Sequence, residues 1–370
     1  MHTLVVRLDN AGDVLLAGPA VRAVAAGSLR VSMLAGPAGR SAAELLPGVD
    51  EVLEWRCPWI DPAPRPVDPA DVASLVETLR GRRFDRALVL TSFHQSPLPT
   101  ALVLRLAGVP WVGAVSEDYP GSLLDLRHRC DDLLPEPERA LSLAMAAGFD
   151  LPGGDDGSLV VRRPLPDVSG LVPVSPYLVL HPGTSVPARA WPAGRFAATA
   201  QLLTEQGHAV VVTGAPSERG LTAQVARTPG VLDLGGRTGL AELAAVLDGA
   251  QAVVVGNTGP AHLAAAVGTP VVSLFAPTVP ARRWAPYRVP SVLLGDQDGV
   301  CRDTRVTTCP FPGHPCLSSV TPQEAVTAVE RLLKATSSGP TPHQPATGRR
   351  REEEPMNTAR NRSRLRGASA

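Results

Sequence analysis

The feature that most constrains this chain is its rhythm of short Val- and Leu-rich runs separated by helix-length stretches. A run of four to six apolar residues offers no polar face to water, so it suits a strand covered on both sides. Such strands are parallel and joined by helices, and the pattern predicts an α/β fold. In the first half, strands are expected at Leu4–Leu8, Arg30–Leu34, Glu51–Trp55, Arg86–Thr91 and Trp111–Val115. Helices are expected at Val14–Ala26, Pro69–Arg80, Pro99–Ala107 and Pro137–Ala147. Between Leu151 and Pro176, Pro, Gly and Asp break the rhythm. It resumes with strands at Tyr177–His181, Ala209–Thr213, Val231–Leu234, Ala252–Val255 and Val271–Phe275. The matching helices are Ala193–Gln206, Glu218–Ala226, Leu240–Leu247, Pro260–Val267 and Pro322–Lys334. A chain of 370 residues can fill two such cores. The expectation is two Rossmann-like parallel-sheet domains facing a central cleft: residues 1–150, a connection at 151–176, and residues 177–334. The tail, 335–370, is rich in Pro, Ser, Thr and Arg and is expected to be disordered.

Charge excludes some partners. Acidic and basic residues number 35 each, which gives no reason to expect nucleic acid. Lys334 is the only lysine, a compositional bias rather than a functional signal. The start, Met1-His-Thr-Leu-Val-Val-Arg7, reads as a strand and not as a signal peptide. No apolar run approaches the ~20 residues that cross a bilayer. A cytoplasmic protein is expected, with at most peripheral contact at the inner face of the membrane. Cys57 and Cys130 stand alone, whereas Cys301, Cys309 and Cys316 cluster in a segment rich in Pro and Gly. Without a tight Cys-x-x-Cys pair the cluster reads as a reduced structural loop, the alternative being a metal site completed by His314.

Ligands of open parallel sheets bind beyond the carboxyl ends of the strands, so the loops there carry the candidates. After the first strand comes Asn10-Ala-Gly-Asp13. Gly12 leaves backbone room, and Asp13 is either a helix cap or a general base toward a hydroxyl. His181-Pro-Gly-Thr-Ser185, with Arg189 beyond, supplies hydroxyls at Thr184 and Ser185 and a guanidinium, a fair phosphate receptor. Glu218 follows the next strand, where a carboxylate either accepts from ribose hydroxyls or complements a helix dipole. In Val253-Val-Val-Gly-Asn-Thr-Gly-Pro-Ala-His262, a β-branched run ends in Gly and a helix opens with Asn257, Thr258, Gly259 and Pro260. That helix N-terminus suits an anion, and His262 lies one turn in. No dinucleotide fingerprint, P-loop or Gly-x-Ser-x-Gly elbow is present. Asp296-Gln-Asp298 has the spacing of a metal-binding pair but lies in a Gly-flanked loop and reads as a solvated turn.

Asp9-Asn-Ala-Gly-Asp-Val, His181-Pro-Gly-Thr, Arg189-Ala-Trp-Pro, Gly214-Ala-Pro-Ser-Glu and Gly256-Asn-Thr-Gly-Pro-Ala-His occur in that order. Together they resemble glycosyltransferase family 9, the ADP-heptose:lipopolysaccharide heptosyltransferases, from about Val5 to Lys334. The resemblance implies a GT-B fold and inverting, metal-independent transfer from a nucleotide sugar, with no cofactor. It implies Asp13 as the base and Thr184, Ser185, Arg189, Glu218, Asn257, Thr258, Gly259 and His262 on the donor. Arg189 stands where relatives often carry Lys, and Asn257 where Asp is common. Asn10, Gly12, His94, Arg282 and Arg283 are the candidate acceptor or sugar contacts. The implied partners are a nucleotide-sugar donor and a glycan or glycolipid acceptor, bound by a monomer. A nucleotide-sugar 2-epimerase of the same architecture, or a non-catalytic nucleotide-sugar binder, are the alternative readings.

Overall fold

The computed structural model describes residues 1–61, 63–131 and 133–337. Most of the expected tail, residues 338–370, lies outside the described residues.

The first six strands are β1 (His2–Arg7), β2 (Arg30–Ala35), β3 (Glu51–Glu54), β4 (Arg86–Val89), β5 (Val112–Val115) and β6 (Leu126–His128). Around them lie α1 (Ala11–Leu16), α2 (Gly18–Ala26), α3 (Arg40–Leu45), α4 (Pro69–Arg82), α5 (Leu98–Leu106) and α6 (Glu136–Ala146). The second six are β7 (Tyr177–His181), β8 (Ala209–Val212), β9 (Val231–Asp233), β10 (Ala250–Gly256), β11 (Val271–Leu274) and β12 (Ser291–Leu294). Their helices are α7 (Ala193–Glu205), α8 (Arg219–Val225), α9 (Leu240–Asp248), α10 (Gly259–Val267), α11 (Ala281–Trp284), α12 (Pro315–Ser318) and α13 (Pro322–Ser337). All pairings are parallel, in the orders β3-β2-β1-β4-β5-β6 and β12-β11-β10-β7-β8-β9. Counted from its own first strand, each sheet has the same order. Each reverses direction at one point, between β1 and β4 and between β7 and β10.

The residues explain the layering. The side chains of β7 are all buried, as are Thr3 to Arg7 of β1, because helices cover both faces. One outer layer packs Leu4, Val6 and Leu34 with α4 and α5; the other packs Leu178, Leu180 and Phe196 with α13. Between the sheets a single apolar cluster runs from Val5 and Leu88 through α1, α2 and α6 to Leu247, Leu263, Val179 and Val253. The two sheet units therefore share a packed face rather than meeting only through a linker. The 151–176 segment is tied to both: Arg22 donates twice to Asp155, at 2.6 and 2.8 Å, and Arg163 pairs with Asp248.

Two expectations change. The helix expected at Val14–Ala26 is two, because Pro19 has no N–H for the Leu15 carbonyl; the chain turns at Ala17, whose N–H bonds to Val14 at 3.1 Å. Strands β6 and β12 and helices α3, α11 and α12 join the expected set. All five are short, and β12 is half exposed, so none leaves a long apolar run.

Candidate active site between the two sheets

Both reversal points open on the same cleft. The N-termini of α1 and α10, each following a strand beside such a point, face one another across it. They meet through bare backbone: a Cβ on Gly12 would lie 3.0 Å from His262 Cδ2 and 3.1 Å from Gly259 Cα. The cleft holds about 250 Å3. Asn10, Gly12, Asp13 and His94 line it from the first domain, and Ser185, Arg189, Asn257, Thr258, Gly259 and His262 from the second.

The first-domain wall is built around a buried arginine. Arg7, the last residue of β1, is 3% exposed. Its Nε lies 2.8 Å from Asp9 Oδ2, and its Nη2 is 3.1 Å from Asp13 Oδ1 and donates to Ser92 Oγ at 2.9 Å. Gln95 donates to Asp9 Oδ1 at 2.5 Å, and the Ser92 N–H donates back to the Gln95 amide oxygen at 3.0 Å. Burial opposes the Arg7 charge, but Asp9, Asp13 and Glu136 more than offset it and hold the guanidinium protonated. Asn10 takes the N-cap position of α1, so Asp13 is the third residue of the helix and its carboxylate goes to Arg7 instead of the helix end.

The opposite wall presents donors. Arg189 Nε, Asn257 Nδ2, Thr258 Oγ1 and His262 Nδ1 are buried and make no hydrogen bond within the protein. Buried polar groups are almost always paired, so four together in one cleft mark a place for a polar ligand. Thr258 is the N-cap of α10 and makes no side-chain capping bond; Pro260 has no N–H and the Ala261 N–H donates to Thr258 O at 3.1 Å, so the Gly259 amide is the one left open to an anion. Burial, with help from Arg189, pulls His262 down to about 4, so its ring is neutral at neutral pH. Arg189 loses some basicity to burial, and the Asp13 charge across the cleft restores part of it. The Arg189 turn is held from behind, where the Ala188 N–H donates to Thr307 O at 2.9 Å and His314 Nε2 meets Ala188 O at 3.0 Å.

Four expected residues sit elsewhere. Thr184 bonds within its own turn, its Oγ1 accepting from the Val186 N–H at 3.2 Å. Glu218 accepts from the Ala215 N–H at 2.8 Å and leans on Gly183, at the edge of the cleft between the ends of β7 and β8. Arg282 is exposed and lines a separate depression with Pro277 and Arg302. Arg283 is 6% exposed, lies 3.8 Å from Glu136 and stacks 4.4 Å above the Phe93 ring. His94, by contrast, stays in the cleft lining, where it meets Arg305 Nη2 at 2.6 Å, and burial and that guanidinium push it down to about 4.

Sequence reasoning missed Arg7, Asp9, Ser92, Gln95, Glu136, Arg305 and Thr307. A charge ending an otherwise apolar strand was the available signal for Arg7; Arg305 and Thr307 come from the irregular segment before α12 and gave none. Asp296 and Asp298 form a surface turn, the Asp298 N–H donating to Asp296 Oδ1 at 2.9 Å. Among the described residues, no group of three or more His, Cys, Asp or Glu is arranged to hold a metal, and His314 serves the Arg189 turn. Among them, too, no helix is long and apolar enough to cross a membrane.

Comparison with known proteins agrees with this architecture. The model of glycosyltransferase family 9 (heptosyltransferase) matches residues 72–314. Lipopolysaccharide heptosyltransferase 3 of Escherichia coli is 31% identical over a match covering 44% of this chain and 48% of that protein. Lipopolysaccharide heptosyltransferase 1 of Pseudomonas aeruginosa is 28% identical, covering 90% and 99%. Among solved structures, the family 9 glycosyl transferase from Veillonella parvula superposes with TM-score 0.75 at 18% identity, over 90% of this chain and 97% of that one. The E. coli ADP-heptose lps heptosyltransferase II gives 0.70 at 22%, over 91% and 100%. Two parallel α/β units around a cleft, shared with those structures, are the GT-B fold expected from the sequence. The chain belongs to glycosyltransferase family 9.

Proposed function

We propose that this protein moves a sugar from a nucleoside diphosphate donor to a hydroxyl of a glycan or glycolipid, with inversion and without a metal ion. The names of the relatives favour an ADP-linked heptose. One observation carries the reading: a clamped carboxylate on one wall of the cleft faces unpaired donors and an uncapped helix N-terminus on the other.

The chemistry follows from that opposition. Asp13 takes the proton of the acceptor hydroxyl as its oxygen bonds to the anomeric carbon. The bond from that carbon to the diphosphate breaks on the far face, which inverts the centre. Arg189, the Gly259 amide at the start of α10, Thr258 and His262 receive the charge that develops on the leaving diphosphate. These groups do the work of a divalent cation, and neutral Asn257 adds a donor without a repelling charge. The nucleoside extends toward Glu218. Small-molecule sites hold about 300–1,000 Å3. The 250 Å3 between the walls falls just below that range, which favours a parting of the domains on donor entry.

Thermal unfolding with ADP, ADP-sugars and other nucleotide sugars tests the donor class. A true donor at 100 times its Kd adds about 2.7 kcal/mol to stability. The best donor is then incubated alone and with candidate acceptors. Acceptor-dependent release of the nucleoside diphosphate is expected; a sugar epimerised in the absence of acceptor, or binding without turnover, would overturn the proposal.

A further inference from the structure

A chain of alternating charges crosses from the cleft to the far side of the domain junction. Asp13 meets Arg7 at 3.1 Å, Arg7 Nη1 lies 3.9 Å from Glu136 Oε2, and Glu136 Oε1 lies 3.8 Å from Arg283 Nη1. Arg7 and Glu136 belong to the first domain, whereas Arg283 follows β11 in the second. All three are nearly inaccessible, at 3, 2 and 6% exposure. Burying ion pairs gains little stability over apolar packing of the same volume, so such a network points to a role beyond holding the fold.

We propose that Arg7 and Glu136 are positioning residues: Arg7 aims the Asp13 carboxylate at the acceptor hydroxyl, and Glu136, tied to Arg283, sets Arg7 when the two domains are closed. This rests on the reading of Asp13 as base.

The geometry supports each link. Arg7 Nη2 donates to Asp13 and Ser92, while Nε at 2.8 Å from Asp9 and Nη1 at 3.9 Å from Glu136 make ion-pair contacts, so carboxylates surround the guanidinium on three sides. Asp13 meets it through Oδ1, which leaves Oδ2 to take a proton. Glu136 opens α6, and the same segment of the second domain grips that helix again two residues on, where the Tyr287 hydroxyl donates to Glu138 Oε1 at 2.9 Å. The Glu136–Arg283 contact crosses the domains at 3.8 Å, the outer limit of an ion pair, so small domain movements make or break it. Sliding Arg283 away would leave Glu136 to Arg139 on its own helix, which changes its pull on Arg7 and with it the orientation of Asp13.

The test is the pH dependence of transfer by the full-length enzyme. The charged groups facing Asp13 are Arg7 and Asp9 from the end of β1, Glu136 from α6, and Arg189 and Arg305 from the second domain. Glu136→Gln keeps the shape and removes one negative charge, so the acidic limb of kcat/KM moves to lower pH. Arg7→Gln removes a positive charge and moves it to higher pH. In both, kcat falls about 10- to 100-fold through misplacement of the base, while donor affinity stays within about twofold. Limbs that do not move, or move together, overturn the inference, as does a parallel loss of donor affinity. If Arg7→Gln fails to fold, Arg7→Lys restores the charge without the fork; the parent limb with a lowered kcat is then expected, and parent kcat overturns the proposal. Asp13→Asn is assayed alongside. If it retains transfer, the base reading falls first; if it is inactive while the other variants match the parent, only the positioning role is lost.

Discussion

Gly12→Ala tests whether the two domains must meet through bare backbone. The added Cβ would sit 3.0 Å from His262 Cδ2 and 3.1 Å from Gly259 Cα. One neighbour is a buried ring and the other is main chain, so neither can swing aside, and relief must come from parting the helices. Overpacking of this kind costs about 1–3 kcal/mol, which lowers the closed population roughly 5- to 150-fold. Within α1 itself the change is favourable, because Ala exceeds Gly in helix propensity by up to about 1 kcal/mol. The expected signature is therefore split: Tm holds or rises while kcat/KM for transfer falls by that factor. Steady-state kinetics and calorimetric unfolding on the same preparation read both. A kcat/KM within about twofold of the parent, with Tm unchanged, would show that the helix ends need not meet and would refute the closed-cleft argument.

Three further outcomes are expected. Arg189→Ala removes a charge-assisted donor worth about 1.5–3 kcal/mol, so calorimetry should find ADP binding weakened by one to two orders of magnitude. Stability should decline on acidification from about pH 6.5 toward 4, because His94, His181 and His262 are each pulled to about 4, chiefly by burial. The sign follows from linkage: in that window the unfolded chain binds protons that the folded histidines refuse. Urea midpoints across that range test it, and His181→Asn should flatten the slope. Phe196→Ala empties a fully buried position of the outer layer of the second domain and should cost about 3–5 kcal/mol, read by urea unfolding.

The eight central strands were legible because parallel strands buried on both faces leave uninterrupted apolar runs, and the edge strands β3 and β9 were found with them. The other two edge strands were not. Leu126–His128 is three residues with an Arg at its centre, and Ser291–Leu294 is half exposed, so neither obeys that rule. The cleft-lining residues Asn10, Asp13, Arg189 and Asn257 to His262 were legible as polar breaks after strands, which the sheet order brings to one place. Their supports were not. Arg7 reads as the tail of a strand, and Glu136 as a first-turn acid 123 positions from Asp13; only the packing of α6 on α1 and α2 brings the two together. Glu218 looked like an open carboxylate because its bond to the Ala215 N–H is a local fold of the chain that periodicity does not report.

Asp13→Asn is the most direct test of the central claim, since the change keeps size while removing the capacity to take a proton, together with the charge that faces Arg7. Donor affinity by calorimetry and transfer to acceptor should be measured on the same sample. The account predicts affinity within about twofold of the parent and transfer reduced about 10²- to 10⁴-fold. Transfer at the parent rate by the Asn variant would contradict it.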